Sequence, residues 1–376
     1  MTFPEPSTPS RATVPAVPVF LLTLCLALLM TACAPVAAPA APAAPAETST
    51  ESPAVAEPVV AEPADADGAL VIYSGRNENL VGPLIEQFQT DTGIQVEVRY
   101  GGTSEMAATI LEEGANSPAD VFYGQDAGAL GALSQAGRLA PLPADVLELV
   151  DGRFRSTDGD WIGASGRARV LVYNRDLADE AELPADVWGL TEARWQGKIG
   201  WAPTNGSFQA FVTALRVLEG EDQARAWLEA MIANGVQSFA NNTSIVEATG
   251  RGEIEAGLVN HYYLLQFLAE QGESFAARNH FFPTATAGAM INVAGAGVIN
   301  TTDHPQAAQT FLAYLLSPSA QQYFADQTNE YPLIPGVSLN PILPPLEELV
   351  TPSLDLADLE DLQGTLELLQ DVGALE

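Results

Sequence analysis

Two adjacent tyrosines, Tyr262 and Tyr263, stand where an apolar strand pattern gives way to a helical one. A free phenol has a pKa near 10, but a hard, highly charged cation can displace its proton and take the oxygen as a ligand. This chemistry requires both phenols to face one cleft. The alternative is structural: successive helix positions diverge by about 100°, so one ring would pack in the core while the other faces water. The pair alone does not decide between these readings.

Three other strand ends run into polar loops, at residues 73–78, 123–126 and 203–208. Each loop places Ser, Gly or Asn just before a predicted helix. Backbone N–H groups at a helix start attract an anion, and small residues let it approach closely. Turns and helix caps use the same residue types, so each loop taken alone also fits a purely structural role.

The elements that would position these residues follow a strand and helix alternation. A short apolar strand at residues 70–72 precedes a helix capped by Asn77 or Asn79 and stopped by Gly93. A half-buried strand at 94–100, a helix at about 104–113 and a strand at 119–123 continue this order. Strands resume at 168–173, 199–202 and 256–259, and one or two closing helices are expected beyond about residue 337. The order predicts an α/β fold in two lobes with mixed, mostly parallel sheets, whose ligands bind beyond the carboxyl ends of the strands.

The first residues indicate export. Residues 17–30 form an apolar run too short for a permanent membrane span, which predicts a signal peptide over residues 1–32. Residues 29–33 resemble a lipobox ending at Cys33, the expected lipidation site and mature N-terminus. The other cysteine, Cys25, would leave with the leader. Residues 33–68, rich in Ala and Pro, predict a disordered tether.

Composition excludes some functions. The chain has 376 residues, of which 47% are hydrophobic, enough for two lobes. With 48 acidic against 15 basic residues the net charge is −33, which makes nucleic acid an unsuitable partner. The sequence contains no Gly-x-Ser-x-Gly, no His-Glu-x-x-His and no phosphate loop ending in Gly-Lys-Ser/Thr, which disfavours an enzyme.

From Leu70 to Pro335 the chain resembles the ferric-iron-binding periplasmic proteins, also called bacterial transferrins. The joint order and spacing of several stretches carry the resemblance, namely residues 71–76, 117–123, 165–170, 203–206, 252–260, 262–263 and 330–333. The resemblance implies a type II periplasmic-binding-protein fold with a ligand cleft between the lobes. It also implies an N-terminal lobe of residues 69–168 plus about 290–318, and a C-terminal lobe of about 169–289 plus 319–376.

By this resemblance Tyr262 and Tyr263 take the place of the paired iron-ligating tyrosines. A synergistic anion, carbonate or phosphate, is expected at a set of small and polar residues: Arg76, Ser74, Asn205, Gly206, Ser207, Asn242 and Asn260. His261 falls at a position that is not a ligand in the family.

The chain departs from the family pattern at three positions. Asn77 and Gln125 stand where some members carry His and Glu ligands, and Phe208 stands where others carry a third tyrosine. A ferric ion prefers about six hard donors. The remaining donors are expected from the anion, water, Asn77, Gln125 or the neighbouring carboxylates Glu78 and Asp126.

The expected function is therefore the extracytoplasmic binding component of an ABC importer. It would bind Fe³⁺ with carbonate or phosphate, pass it to a membrane permease and perform no catalysis. The protein is expected to be a monomer, anchored by lipid to the outer face of the cytoplasmic membrane. The alternative is a binding protein of the same fold for a different small anion or solute, without metal.

Overall fold

The computed structural model describes residues 68–375. The predicted signal peptide, the lipidation site Cys33 and the tether up to residue 67 lie outside the described residues. Within the described part, nine strands form one continuous sheet: β1 Leu70–Ser74, β2 Val96–Tyr100, β3 Val121–Gly124, β4 Trp161–Asn174, β5 Ile199–Trp201, β6 Gln237–Ser238, β7 Ala256–Asn260, β8 Ala277–His280 and β9 Ile291–Val298.

Helices cover the sheet. They are α1 Glu78–Thr92, α2 Thr103–Glu113, α3 Ala127–Gln135, α4 Ala144–Leu147, α5 Gly206–Glu219, α6 Glu221–Ala233, α7 Asn242–Arg251, α8 Tyr262–Gln271, α9 Pro305–Leu315, α10 Pro318–Tyr323 and α11 Leu362–Asp371. A 3₁₀ segment, Leu356–Glu360, precedes α11. These last two elements are the closing helices that the sequence predicts.

The sequence features predicted to begin and end the first helix do so in the structure. The Asn77 side chain accepts a hydrogen bond from the Asn79 amide and caps α1. Gly93 ends the helix with a φ of 74°, a left-handed conformation that glycine adopts without strain. β2 alternates between half-buried and exposed positions, as its period-two pattern predicts.

The strand order is β2-β1-β3-β9-β4-β7-β5-β6, with β8 on β4. β1 pairs in parallel with β2 and β3, and β5 pairs in parallel with β6 and β7. β9 and β4 pair antiparallel with each other and with their other neighbours. The parallel pairs therefore lie within each half, and the antiparallel pairs arise because β4 and β9 cross from one half to the other. The result is the two-lobed α/β fold expected from the sequence.

Candidate metal and anion site

The tyrosine pair lies where β7 ends and α8 begins. Tyr262 is fully buried and Tyr263 is half-buried, and their rings stack with centroids 4.2 Å apart at an interplanar angle of 28°. The rings do not diverge as the helical wheel suggests. Adjacent Cα atoms are only about 3.8 Å apart, so side-chain rotation brings the rings face to face. The two rings therefore lie side by side at the start of α8.

The Tyr262 hydroxyl has no hydrogen-bond partner among residues 68–375. Burial raises its pKa well above the ordinary value, and the neighbouring Tyr263 and Glu330 add to this effect. The positive charges of Arg76 and Arg167 act in the opposite direction. A buried polar group without a partner is costly, which is typical of a position that a ligand completes.

The predicted anion residues of the second half come together at the start of α5. Asn205 caps the helix: its Oδ1 accepts hydrogen bonds from the Ser207 amide at 3.0 Å and from Ser207 Oγ at 2.6 Å. Asn242, the first residue of α7, donates to Asn205 Oδ1 and to Ser207 Oγ, both at 3.3 Å. Because β5 and β7 are parallel neighbours, this loop and the tyrosine pair emerge at the same edge of the sheet.

Two buried arginines on β4 lie beside these residues. Arg167 and Arg169 are separated by one residue and so occupy the same face of the strand, and Arg169 pairs in register with Asn260. Their Nε and Nη1 atoms, and the Asn260 Nδ2, have no hydrogen-bond partner within the described chain. Burial, and then the like charge of Arg167, lower the pKa of Arg169 to about 9.

Sequence reasoning did not single out these arginines as site residues. The available signal was two basic residues in an otherwise apolar strand of a chain that has only 15 basic residues. Phe208, at the third-tyrosine position, is fully buried, and the Cζ atom of Arg169 lies 5.5 Å from the centroid of the Phe208 ring. Phe208 therefore contributes a ring contact to Arg169 and offers no oxygen.

The opposite wall of the cleft comes from the first half, and Arg76 is its main charged group. Arg76 is buried and donates from Nη2 to Glu330 Oε2 at 2.7 Å, whereas its Nε has no partner in the described residues. Burial alone would lower the pKa of Arg76, but Glu330 and the phenols of Tyr123 and Tyr262 raise it above the ordinary value. Ser74 shapes this loop, since its Oγ bonds both the carbonyl and the amide of Arg76.

Of the remaining candidate donors on this wall, all except Gln125 cap a helix or face solvent. Asn77 caps α1, and both Asn77 and Glu78 are exposed. Asp126 is buried and caps α3, accepting a hydrogen bond from the Ala129 amide at 3.1 Å. Gln125 is half-buried, and its Nε2 has no partner among residues 68–375. In that same range, no three His, Cys, Asp or Glu side chains form a group that could hold a metal.

The two walls touch. A β-carbon added at Gly206 would lie 2.9 Å from Asp126 Oδ2, and Ser104 Oγ lies 3.5 Å from Gln209 Oε1. Glycine at position 206 therefore permits the two helix starts to approach.

A surface cavity of about 820 Å³ lies away from this contact. Its lining includes Ile342 and Tyr173, and Tyr173 lies at the other end of β4.

His261 has no free ring nitrogen. Its Nδ1 accepts from the Ala168 amide at 3.1 Å, which leaves the proton on Nε2 to be donated to the Asn329 carbonyl at 2.9 Å. Burial lowers its pKa to about 4, so the ring is neutral at pH 7. His261 therefore fastens the start of α8 to β4 and to the segment that contains Glu330.

Comparisons with known proteins agree with this architecture. The model for bacterial extracellular solute-binding proteins matches residues 83–348. The Fe(3+)-binding periplasmic protein of Serratia marcescens is 35% identical over 317 residues, covering 84% of this chain and 93% of the relative. The major ferric iron-binding protein of Neisseria meningitidis is 33% identical over 316 residues, covering 83% and 95%. The crystal structure of iron-bound HitA from Pseudomonas aeruginosa shares 38% identity with a TM-score of 0.77, covering 81% of this chain and 99% of that one.

The chain belongs to the bacterial extracellular solute-binding proteins, because the family model spans more than half of it and relatives above 30% identity cover more than two thirds. This confirms the family and the fold class that the sequence predicts. Members of this family work outside the cytoplasm. Among the helices of residues 68–375, none is long and apolar enough to cross a membrane.

Proposed function

We propose that this protein binds ferric iron in the cleft, with Tyr262 and Tyr263 as phenolate ligands. The observation that carries the proposal is the stacked pair itself, in which the Tyr262 hydroxyl is buried without a partner in the described chain. Phenolate oxygens are hard donors suited to a trivalent cation. The relatives named for ferric iron, at 33–35% identity, support the same cargo.

The charges around the pair support an anion as part of the complex. The cleft contains three buried guanidinium groups, Arg76, Arg167 and Arg169, and two buried carboxylates, Glu330 and Asp126, so the positive charges exceed the negative ones by one. Two phenolates also leave a ferric ion with one positive charge. Carbonate or phosphate at the start of α5, held by Asn205, Gly206 and Ser207, would neutralise charge and fill coordination positions.

Further polar groups extend the proposed anion site. Asn242 reinforces the loop at the start of α5, and Asn260 and Arg76 each offer a buried nitrogen that has no partner in residues 68–375. Water and oxygen donors on the opposite wall, such as Gln125 and Asp126, would complete the coordination sphere.

The proposed role is transport, without catalysis. The protein would capture iron outside the cytoplasm and deliver it to an ABC permease, anchored as a monomer through a lipid on Cys33 and the tether of residues 33–68. The lobes proposed for closure are residues 69–168 with about 290–318, and about 169–289 with 319–376. The close approach of Gly206 to Asp126 supports a closed arrangement of these lobes.

Metal analysis with a visible spectrum tests this function. Protein lacking residues 1–33 is freed of metal with a chelator and titrated with ferric nitrilotriacetate, with and without phosphate or carbonate. We expect one ferric ion per chain and a visible tyrosinate-to-iron band that is strengthened by the anion. A protein that takes up no ferric ion and develops no visible band, yet binds phosphate, would contradict the iron proposal and favour a metal-free anion-binding protein of the same fold.

A further inference from the structure

Glu330 is not among the site residues predicted from the sequence, although it belongs to a stretch that resembles the family. Its carboxylate is fully buried, and one oxygen, Oε2, receives three donors. These are Arg76 Nη2 at 2.7 Å, Ser165 Oγ at 3.1 Å and Thr328 Oγ1 at 3.0 Å. The other oxygen, Oε1, has no partner among the residues that the structure describes. Three donors on one oxygen stabilise the charged carboxylate beside Arg76.

The backbone on both sides of Glu330 is fixed. Tyr331 pairs with Gly166 of β4 through two backbone hydrogen bonds, at 2.7 and 2.9 Å. Asn329 has a left-handed φ of 56°, and its carbonyl accepts the hydrogen bond from His261. Glu330 is therefore held from both neighbours and cannot swing away from Arg76 without breaking these contacts.

The three buried arginines of the cleft differ in their partners. Arg76 has a carboxylate, whereas the hydrogen-bond acceptors of Arg167 and Arg169 within the described chain are the carbonyls of Val293 and Leu258. A buried charge that loses its counterion is left uncompensated, and a small anion can then replace the missing charge. The charge that Arg76 presents to the cleft thus depends on Glu330.

We propose that Glu330 is the built-in counterion of Arg76 and thereby determines how tightly the cleft holds a small oxyanion. By cancelling the Arg76 charge and occupying Nη2, it leaves Nε for the anion and keeps the anion exchangeable. This proposal rests on the anion site of the proposed function, but it concerns the iron-free protein and does not require that the cargo be iron.

The test is calorimetric titration of the iron-free protein with sodium phosphate, and separately with bicarbonate, at constant ionic strength. Glu330→Gln keeps the shape of the side chain and removes its charge. We expect this variant to bind phosphate about 10- to 100-fold more tightly than the unmodified protein, because one charge-assisted interaction is gained. In the double variant Arg76→Ala/Glu330→Gln this gain is lost.

Ser165→Ala is the matched control, since it removes one hydrogen bond to Glu330 and leaves the ion pair in place; its phosphate affinity should be unchanged. The inference is overturned if Glu330→Gln binds phosphate no more tightly, or if the gain persists without Arg76. Should Glu330→Gln fail to fold, Glu330→Asp replaces it, because its carboxylate withdraws by one methylene; a smaller rise in phosphate affinity supports the proposal, and no rise contradicts it.

These outcomes are distinct from those of the iron test. Failure of the unmodified protein to bind iron would remove the proposed cargo and leave the phosphate comparison intact. Normal iron binding with no phosphate effect in Glu330→Gln would leave the cargo and remove the role of Glu330.

Discussion

The two walls of the cleft are built from similar parts and present different chemistry. Each has parallel strands whose ends lead into helices capped by asparagine or aspartate. The second-half wall presents stacked phenols and an ordered loop at Asn205. The first-half wall presents an arginine neutralised by Glu330, and there Asn77 and Asp126 are used as helix caps. We infer that the second-half wall binds the cargo and that the first-half wall supplies countercharge and closure.

Removing the phenol oxygens is the most severe test of the different roles inferred for the two walls. Tyr262→Phe and Tyr263→Phe keep the rings and delete one ligand each. Loss of a residue that merely supports a metal ligand typically costs about 10- to 100-fold in affinity, so we expect each variant to lose more than about 100-fold in iron affinity, together with most of the visible band. Ferric nitrilotriacetate titration measures both quantities.

Tyr173→Phe is the matched control, because Tyr173 pairs with Ala256 at the far end of β7 from the tyrosine pair. Its iron affinity should equal that of the unmodified protein. Unchanged iron binding in both Tyr262→Phe and Tyr263→Phe would show that the pair is a packing feature.

Blocking the approach of the walls should have a smaller effect. Gly206→Val places atoms against Asp126, since even a β-carbon would lie 2.9 Å from its Oδ2. Overpacking costs about 1–3 kcal/mol, which corresponds to roughly 5- to 150-fold in affinity if it acts only on the closed form. Small-angle scattering of the iron-loaded protein should show a larger radius of gyration than the unmodified protein.

Gly152→Val is the control for that substitution, because a β-carbon there meets no atom within 4 Å in the described residues. Full iron binding by an expanded Gly206→Val protein would mean that contact between the walls is not needed for binding.

Removing one asparagine N-cap from each wall compares the two walls directly. Asn77→Ala and Asn205→Ala each remove an N-cap, and each should lower the free energy of unfolding by about 1 kcal/mol. In the second variant the partners of Ser207 and Asn242 are also lost, so we expect iron affinity in the presence of phosphate to fall about fivefold for Asn205→Ala alone. Equal losses of iron affinity in both variants would refute the division between the walls.

The smallest effect concerns the C-terminal segment, outside both walls. Asp361 caps α11 and pairs with Arg216 of α5, and its pKa is lowered first by the Gly364 amide and then by Arg216. Asp361→Asn keeps a good cap and removes only an exposed charge, so unfolding free energy at pH 7 should fall by less than about 1 kcal/mol. Because the folded pKa is depressed, the difference should vanish as the pH falls through it; urea unfolding at pH 7 and pH 2 measures this. A difference that persists at pH 2 would show that the charge is not its source.

Sequence alone determined the local elements and most of the second-half wall. The cap at Asn77, the stop at Gly93 and the alternation of β2 depend on interactions within a few residues, which a pattern records. The capped helix start at Asn205 was predictable for the same reason, since a strand end followed by a capped helix is a local signal.

Only the tertiary structure decided how the charges are matched. Arg76 and Glu330 are 254 positions apart, and no local pattern specifies their contact. Tyr262 stacks on Tyr263 although neighbouring helix positions point in different directions. Arg167 and Arg169 share one face of β4, and their charges need partners there because burial excludes water. Burial is set by the whole fold, and it decides how these arginines, phenols and the glutamate interact because buried charges must be compensated by what surrounds them.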